Sequence, residues 1–264
     1  MNSGRIWTIF LRQFFLFKRG SYRIFALFYW PAMELFLWGV LTLYISRTGG
    51  ERLSFISVLI GAAILWNFLI RIQQGITVSF LEDIWVRNFI NLFSSPLTIA
   101  EYIIGLLVTS VLQMVISIGF MAFLAWLLFS YNIFQFGLWL VPFAAVLFLF
   151  GLALGILVTA IILRLGPSSE VLTWAIPAII SPLSGVFYPV DLLPRFIQPI
   201  AYVLPSTYIF EGMRNVVVRG IFDSTSLVYA AILVVIWITG AYLFLQHVYR
   251  ISLLRGFFTR FMSE

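Results

Sequence analysis

An all-α, polytopic integral membrane protein with six transmembrane helices is the fold class this sequence predicts, and three observations carry it. Hydrophobic residues make up 62% of the chain and charged residues only 10%, against about a quarter charged in a soluble domain. Six apolar segments approach or exceed the roughly 20 residues a helix needs to cross a bilayer; they fall near 24–45, 55–76, 102–129, 138–163, 170–187 and 227–248. Between the last two lies an apolar stretch, Leu183–Arg219, in which Pro189, Pro194, Pro199 and Pro205 recur every five or six residues. A spanning helix cannot absorb that proline density, so two short helices that dip into one membrane face are expected there, Arg195–Val203 and Thr207–Val218. The 264 residues read as one transmembrane domain, 1–264, without repeat, linker or second domain.

At the N-terminus, residues 4–18 read as an amphipathic interfacial helix. Ile6, Phe10, Phe14 and Phe17 share one face, and Arg5, Thr8, Arg12 and Arg19 recur on another. Such a helix lies in the headgroup layer with its cations outward. No signal peptide is expected, because Arg5, Arg12, Lys18, Arg19 and Arg23 are scattered through residues 1–23 instead of leading a short apolar core. Six spans put both termini on one side. With the termini inside, only Arg47, Arg52, Arg195, Arg214 and Arg219 of the sixteen cations lie outside. The positive-inside bias therefore places both termini in the cytoplasm and 188–219 outside.

The first span carries Glu34 about ten residues in, hence about 15 Å deep at 1.5 Å per residue. A carboxyl there must be neutral, paired or water-facing, so Glu34 either faces a channel or packs as a hydrogen-bonded group between helices. Asn67, Arg71, Gln73 and Gln74 cluster towards the inner end of the second span, where they line an entrance or ride at the interface. Residues 79–94 read as a separate short cytoplasmic helix. Glu82 and Asp83 sit at its start, where the helix dipole favours anions, and Trp85, Phe89, Leu92 and Phe93 form an aromatic face. That face docks into a partner's groove or rests on lipid. Ser95-Pro96 ends the helix, and Thr98 with Glu101 has the capping-box pattern for the third span. Gly151 and Gly155 in the fourth span permit close helix contact. Pro177 and Pro182 kink the short fifth span. Glu211 and Arg214, three apart, share a helix face and form either a structural pair or a latch. Trp7, Trp30, Trp85, Trp139 and Tyr188 suit interfacial belts, although flat rings also suit a path for sugars or lipid chains.

Several chemistries are excluded. There are no cysteines and one histidine, His247, so thiol nucleophiles, disulfides and multi-histidine metal sites are out. Lys18 is the sole lysine and lacks the glycine pattern of a phosphate-binding loop. The net charge of +6 follows from topology, and no nucleic-acid partner is expected.

The order Ser184-Gly185-Val186-Phe187-Tyr188-Pro189, Leu193-Pro194, Gln198, Leu204-Pro205, Tyr208, Glu211 and Arg214, with Ser95-Pro96 before the third span, resembles the membrane subunit of an ABC-2 type ATP-binding-cassette exporter over nearly the whole chain. Many relatives carry Gly-Thr where this chain has Arg87-Asn88, which leaves the subfamily and substrate open. The resemblance implies a cell-membrane permease that works as two membrane subunits, identical or homologous, with two cytosolic ATPase subunits. Those partners bind ATP and Mg, and the chain itself carries no cofactor and is not an enzyme. It implies coupling to the ATPase through Glu82, Asp83, Trp85, Arg87 and Phe89. It further implies an external gate at Tyr188, Pro189, Pro194, Pro205, Tyr208, Glu211 and Arg214, and a path past Glu34, Asn67 and Arg71. The expected cargo is amphipathic, a lipid-linked glycan or a hydrophobic drug or lipid. Two rival readings use the same residues: a proton-coupled secondary transporter working through Glu34, and a non-transporting membrane assembly subunit.

Overall fold

Apolar segments in a medium without water must satisfy their own backbone groups, and a helix does so within one segment. The computed structural model describes residues 2–49, 54–86, 88, 91–92, 94–220 and 223–255, and no strand occurs among them. The α-helices are α1 Ser3–Arg19, α2 Ser21–Gly49, α3 Ser54–Trp85, α4 Ile99–Phe129, α5 Leu140–Leu165, α6 Leu172–Leu183, α7 Gln198–Ala201, α8 Pro205–Arg219 and α9 Ser224–Arg255. Tighter 3-10 turns occupy Ile133–Trp139, Pro167–Val171 and Val190–Leu192.

Among the described residues, five segments are long and apolar enough to cross a bilayer: Ser21–Ile45, Val58–Trp85, Ile99–Phe129, Ile133–Leu165 and Ser224–Ser252. Burial ranks them. Within the most apolar window, α3 and the α5 segment are each 72% buried, whereas α2 is 22% and α9 is 17% buried. The pair α3 and α5 is therefore the centre, with α4 and α2 against α3 and α9 against α5. Small residues allow that central contact. A Cβ on Gly151 of α5 would come 2.5 Å from the Leu69 carbonyl oxygen of α3. Gly151→Ala is expected to cost about 1–3 kcal/mol by forcing the two helices apart. Thermal denaturation of the detergent-solubilised chain checks this, and an unchanged midpoint would show that the contact is not tight.

Helix ends follow local chemistry. Asn2 caps α1, its side chain accepting from the Gly4 N–H at 2.9 Å. Thr98 caps α4 with a full capping box to Glu101. Asp223 caps α9 by accepting from Thr225 N–H at 2.9 Å and Ser226 Oγ at 2.6 Å; the Ser226 bond first and the Thr225 bond second hold its carboxyl below the usual pKa.

Three sequence expectations need correction. The predicted separate helix at 79–94 does not begin at Ser79, because α3 runs unbroken to Trp85. No proline interrupts that stretch, so the helix simply outlasts its apolar face; its 32 residues reach about 48 Å, well beyond a hydrocarbon core about 30 Å thick. The predicted span over 170–187 contains an α-helix of only 12 residues, Leu172–Leu183, with Pro177 and Pro182 inside it. It ends beside Gly185, whose φ of +58° breaks the helical path. The first predicted dipping helix shrinks to the four residues Gln198–Ala201, while the second is Pro205–Arg219. Two residues expected to act in the coupling stretch, Arg87 and Phe89, lie outside the described residues.

Candidate functional site

At the end of the bundle where α1 lies, three carboxylates fasten four helices. Asp83, near the C-terminus of α3, is completely buried. Arg12 of α1 donates to its Oδ1, and Tyr102 of α4 donates to its Oδ2 at 2.6 Å. Burial is the largest single influence and works to lower the Arg12 pKa, but the hydrogen bond and charge of Asp83, with smaller contributions from Tyr102 and Glu82, together outweigh it and the net shift is upward. Glu101 of α4 accepts from the Asn2 and Thr98 N–H groups at 2.7 and 3.1 Å. Arg5 reaches the Pro96 carbonyl and lies 3.5 Å from Glu101. Glu82 pairs with Arg23 of α2 at 2.9 Å. Close approach of α1 is possible because Gly105 has no side chain; a Cβ there would meet Ile9 at 2.6 Å.

This arrangement overturns the outward-facing cations expected for the N-terminal helix. Arg5 and Arg12 turn inward because each finds a carboxylate that needs a partner. Asp83 is thereby buried completely, and Glu82 partly, against Arg23, in the stretch where both were expected to couple to a partner. Trp85 remains half exposed, and its Nε1 donates to Glu170 at 3.0 Å. That bond ties the end of α3 to the turn before α6. The neighbouring Val86 is exposed as well.

Farther along α3, the three residues expected on a path meet. Asn67 donates from Nδ2 to Glu34 at 2.9 Å and to the Ala63 carbonyl at 3.0 Å. Arg71 Nε lies 3.5 Å from Asn67 Oδ1. A carboxyl, an amide and a guanidinium thus form one relay between α2 and α3. Arg71 also faces a cavity of about 470 Å³ enclosed by α1, α2, α3, α4 and α6. On the adjoining face of α3, buried Gln73 donates to the Thr173 carbonyl of α6 at 3.2 Å.

The opposite end of the bundle is organised by Arg214 of α8. Its Nη1 donates to the carbonyls of Gly185 at 2.7 Å and Val186 at 3.4 Å, and its Nη2 to Glu211 at 2.8 Å. Glu211 in turn accepts from the Val190 N–H at 2.8 Å. Ser184 and Ser206 hydroxyls meet at 2.6 Å, and Tyr188 donates to the Pro182 carbonyl at 2.8 Å. Phe187 stacks on Trp38 of α2 with centroids 3.6 Å apart. Pro189, Tyr208, Glu211 and Arg214 line a second cavity of about 590 Å³. Pro205 is buried at the start of α8, and Pro194 stands exposed outside this cavity.

Sequence reasoning missed the Asp83 centre, the Trp85–Glu170 bond and the Glu211 bond to Val190. A signal for the first was present. Glu82 and Asp83 follow the second apolar span and Glu101 opens the third, with Arg87 the one cation nearby in sequence, while α1 carries a surplus of cations. A family model described as ABC-2 type transporter matches residues 4–218. No curated protein matches the chain.

Proposed function

The chain belongs to the ABC-2 type transporter family, whose domain is the membrane permease of an ABC transporter and not its ATPase, and from that premise we propose that it works as the permease of an ATP-driven exporter. In this reading two copies, or one copy and a homologue, sit on two cytosolic ATPase subunits that bind ATP and Mg. Both termini face the cytoplasm of a plasma or inner membrane. The α6 segment makes the sixth crossing together with its 3-10 lead-in, since twelve α-helical residues reach about 18 Å and five 3-10 residues about 10 Å more. The segment from Tyr188 to Arg219 then lies outside as the exit gate, and the 470 Å³ cavity is the cytoplasmic entrance.

The observation that carries this reading is the clamp at Asp83. It makes α1, the end of α3 and the start of α4 one body, bordering residues 86–98. A push on that connection therefore moves three helices together. A buried carboxylate that accepts from two other helices at once holds a defined arrangement. The working surface for the ATPase in this reading includes the exposed Val86, with Phe89 of the same sequence stretch as the second candidate, and not the carboxylates.

Co-purification tests it. Val86→Asp and Phe89→Asp are expected to cost most of the yield of the co-expressed ATPase, with the chain itself still folded. Full ATPase yield with both variants would sink the coupling assignment. Substrate movement by the purified chain under a pH gradient with no ATPase present would replace the reading by proton coupling.

A further inference from the structure

The cavity beside α1 has two different walls. Its rim carries the exposed aromatic residues Tyr22, Trp30, Trp85 and Trp174, and its floor carries Gln13, Arg71, Gln74 and Gln113. The floor sets the donor-only guanidinium of Arg71 among amides that can donate or accept. Gln13 is 2% exposed, and its Nε2 has no hydrogen-bond partner among the described residues. A buried donor left unpaired is rare and asks for an explanation. Arg71 forms no ion pair among the described residues; its one hydrogen bond there is the 3.5 Å contact with Asn67. Glu34 is engaged by the same Asn67 and does not line the cavity. The carboxylate that does line it, Glu82, is matched by Arg23 at 2.9 Å.

One guanidinium therefore stands in the lining without a carboxylate in direct contact, its charge met only across Asn67 by Glu34, and it shares that lining with an orphaned amide. Arg71 and Glu82 are eleven residues apart on α3, so the cavity runs about 16 Å along the helix, roughly half the hydrocarbon thickness. Its volume of about 470 Å³ is that of a small-molecule site. Donors at the floor call for an anionic acceptor group, and a guanidinium matches phosphate oxygens well. Aromatic rings at the rim call for an apolar continuation of the same ligand.

We propose that this cavity binds the anionic headgroup of a phosphate-bearing lipid, with Arg71 on the phosphate, Gln13 and Gln113 donating to its remaining oxygens, and Trp30, Trp85 and Trp174 against the glycerol and upper chains. The proposal rests on the permease reading only for calling the site an entrance, and it names the class of molecule admitted there.

Native mass spectrometry of the purified full chain tests it. Phosphatidylglycerol and phosphatidylcholine with identical chains are titrated separately. The anionic lipid is expected to bind about tenfold more tightly, because the choline cation of phosphatidylcholine offsets the phosphate charge that Arg71 meets. Arg71→Gln should remove that preference, and Arg164→Gln, a surface cation elsewhere, should keep it. Gln13→Leu retains every charge and removes the amide that carries the orphaned donor, so it remains informative if Arg71→Gln fails to fold; it should weaken phosphatidylglycerol binding severalfold. Equal retention of the two lipids by the unaltered chain would overturn the proposal, as would an undiminished preference in a folded Arg71→Gln or Gln13→Leu variant. Displacement of the lipid by inorganic phosphate at similar concentration would reassign the site to a free anion and overturn the lipid assignment. No ATPase takes part in this measurement, so its failure leaves the co-purification test intact. Lipid binding that survives a failed co-purification test would keep the site and discard the entrance.

Discussion

Asp83→Ala is expected to destabilise the chain by about 3–5 kcal/mol, because it leaves a buried cation without its partner. Arg12 would keep its charge in a pocket built to neutralise it, and Tyr102, fully buried, would lose the acceptor for its hydroxyl. The loss should be localised as well as large. Arg12 to Asp83 is one of the bonds holding α1 against the bundle, so α1 should detach and trypsin should cut at Lys18 or Arg19. Asp83→Asn preserves the shape and one acceptor, and should cost less. A double variant, Asp83→Ala with Arg12→Leu, should recover part of the stability, since removing both partners of a buried pair is cheaper than removing one. Thermal denaturation followed by size-exclusion chromatography measures the cost, and limited proteolysis measures the release of α1. A melting midpoint unchanged by Asp83→Ala would refute the clamp.

Arg214→Leu should produce a loss of the same order, about 3–5 kcal/mol, at the other end of the bundle. Arg214 satisfies two carbonyls at the Gly185 turn and one carboxylate on its own helix. Leucine strands the two buried carbonyls and leaves Glu211 with the Val190 N–H as its remaining donor. Glu211→Gln is expected to be milder, about 1–2 kcal/mol, because an amide oxygen can still accept from Val190. The order of the two effects is the discriminating result. If Glu211→Gln were the more damaging, the carboxylate would be the organising group and the guanidinium an accessory. Under the export reading, both variants should also leak small solutes in a liposome flux assay.

Helix type and placement were legible from periodic apolarity alone, as was the capping box at Thr98. The proline spacing correctly excluded a spanning helix between α6 and α9, since proline acts on the backbone locally. Helix length was harder to read. Nothing in residues 77–85 stops a helix, so α3 continued where hydropathy alone suggested a break. The short α6 was misjudged for the opposite reason: hydropathy stays high across Pro182 and Gly185, although the backbone turns there. Charge pairing was the least legible. Arg12 and Asp83 are separated by 71 positions, and a one-dimensional reading assigns each to its nearest environment, the headgroup layer for Arg12 and a helix start for Asp83. Within α8, where Glu211 and Arg214 are three residues apart, the geometry follows from helical spacing, but the Val190 and Gly185 partners do not.

The contacts of α1 also set an order for biogenesis. Its acceptors are made late: Asp83 follows Arg12 by 71 residues, and Glu101 follows Asn2 by 99. At a synthesis rate of about 5–20 residues per second, α1 waits roughly 4 to 20 s for its docking surface. During that interval its apolar face has only the lipid headgroup boundary to rest on, which its Phe-rich face suits. Amphipathicity in α1 is thus required twice, first as a temporary mooring on lipid during translation and then as the packing face of the finished clamp. Polar substitutions on that face should lower the yield of inserted protein beyond what their effect on the melting point of the purified chain accounts for.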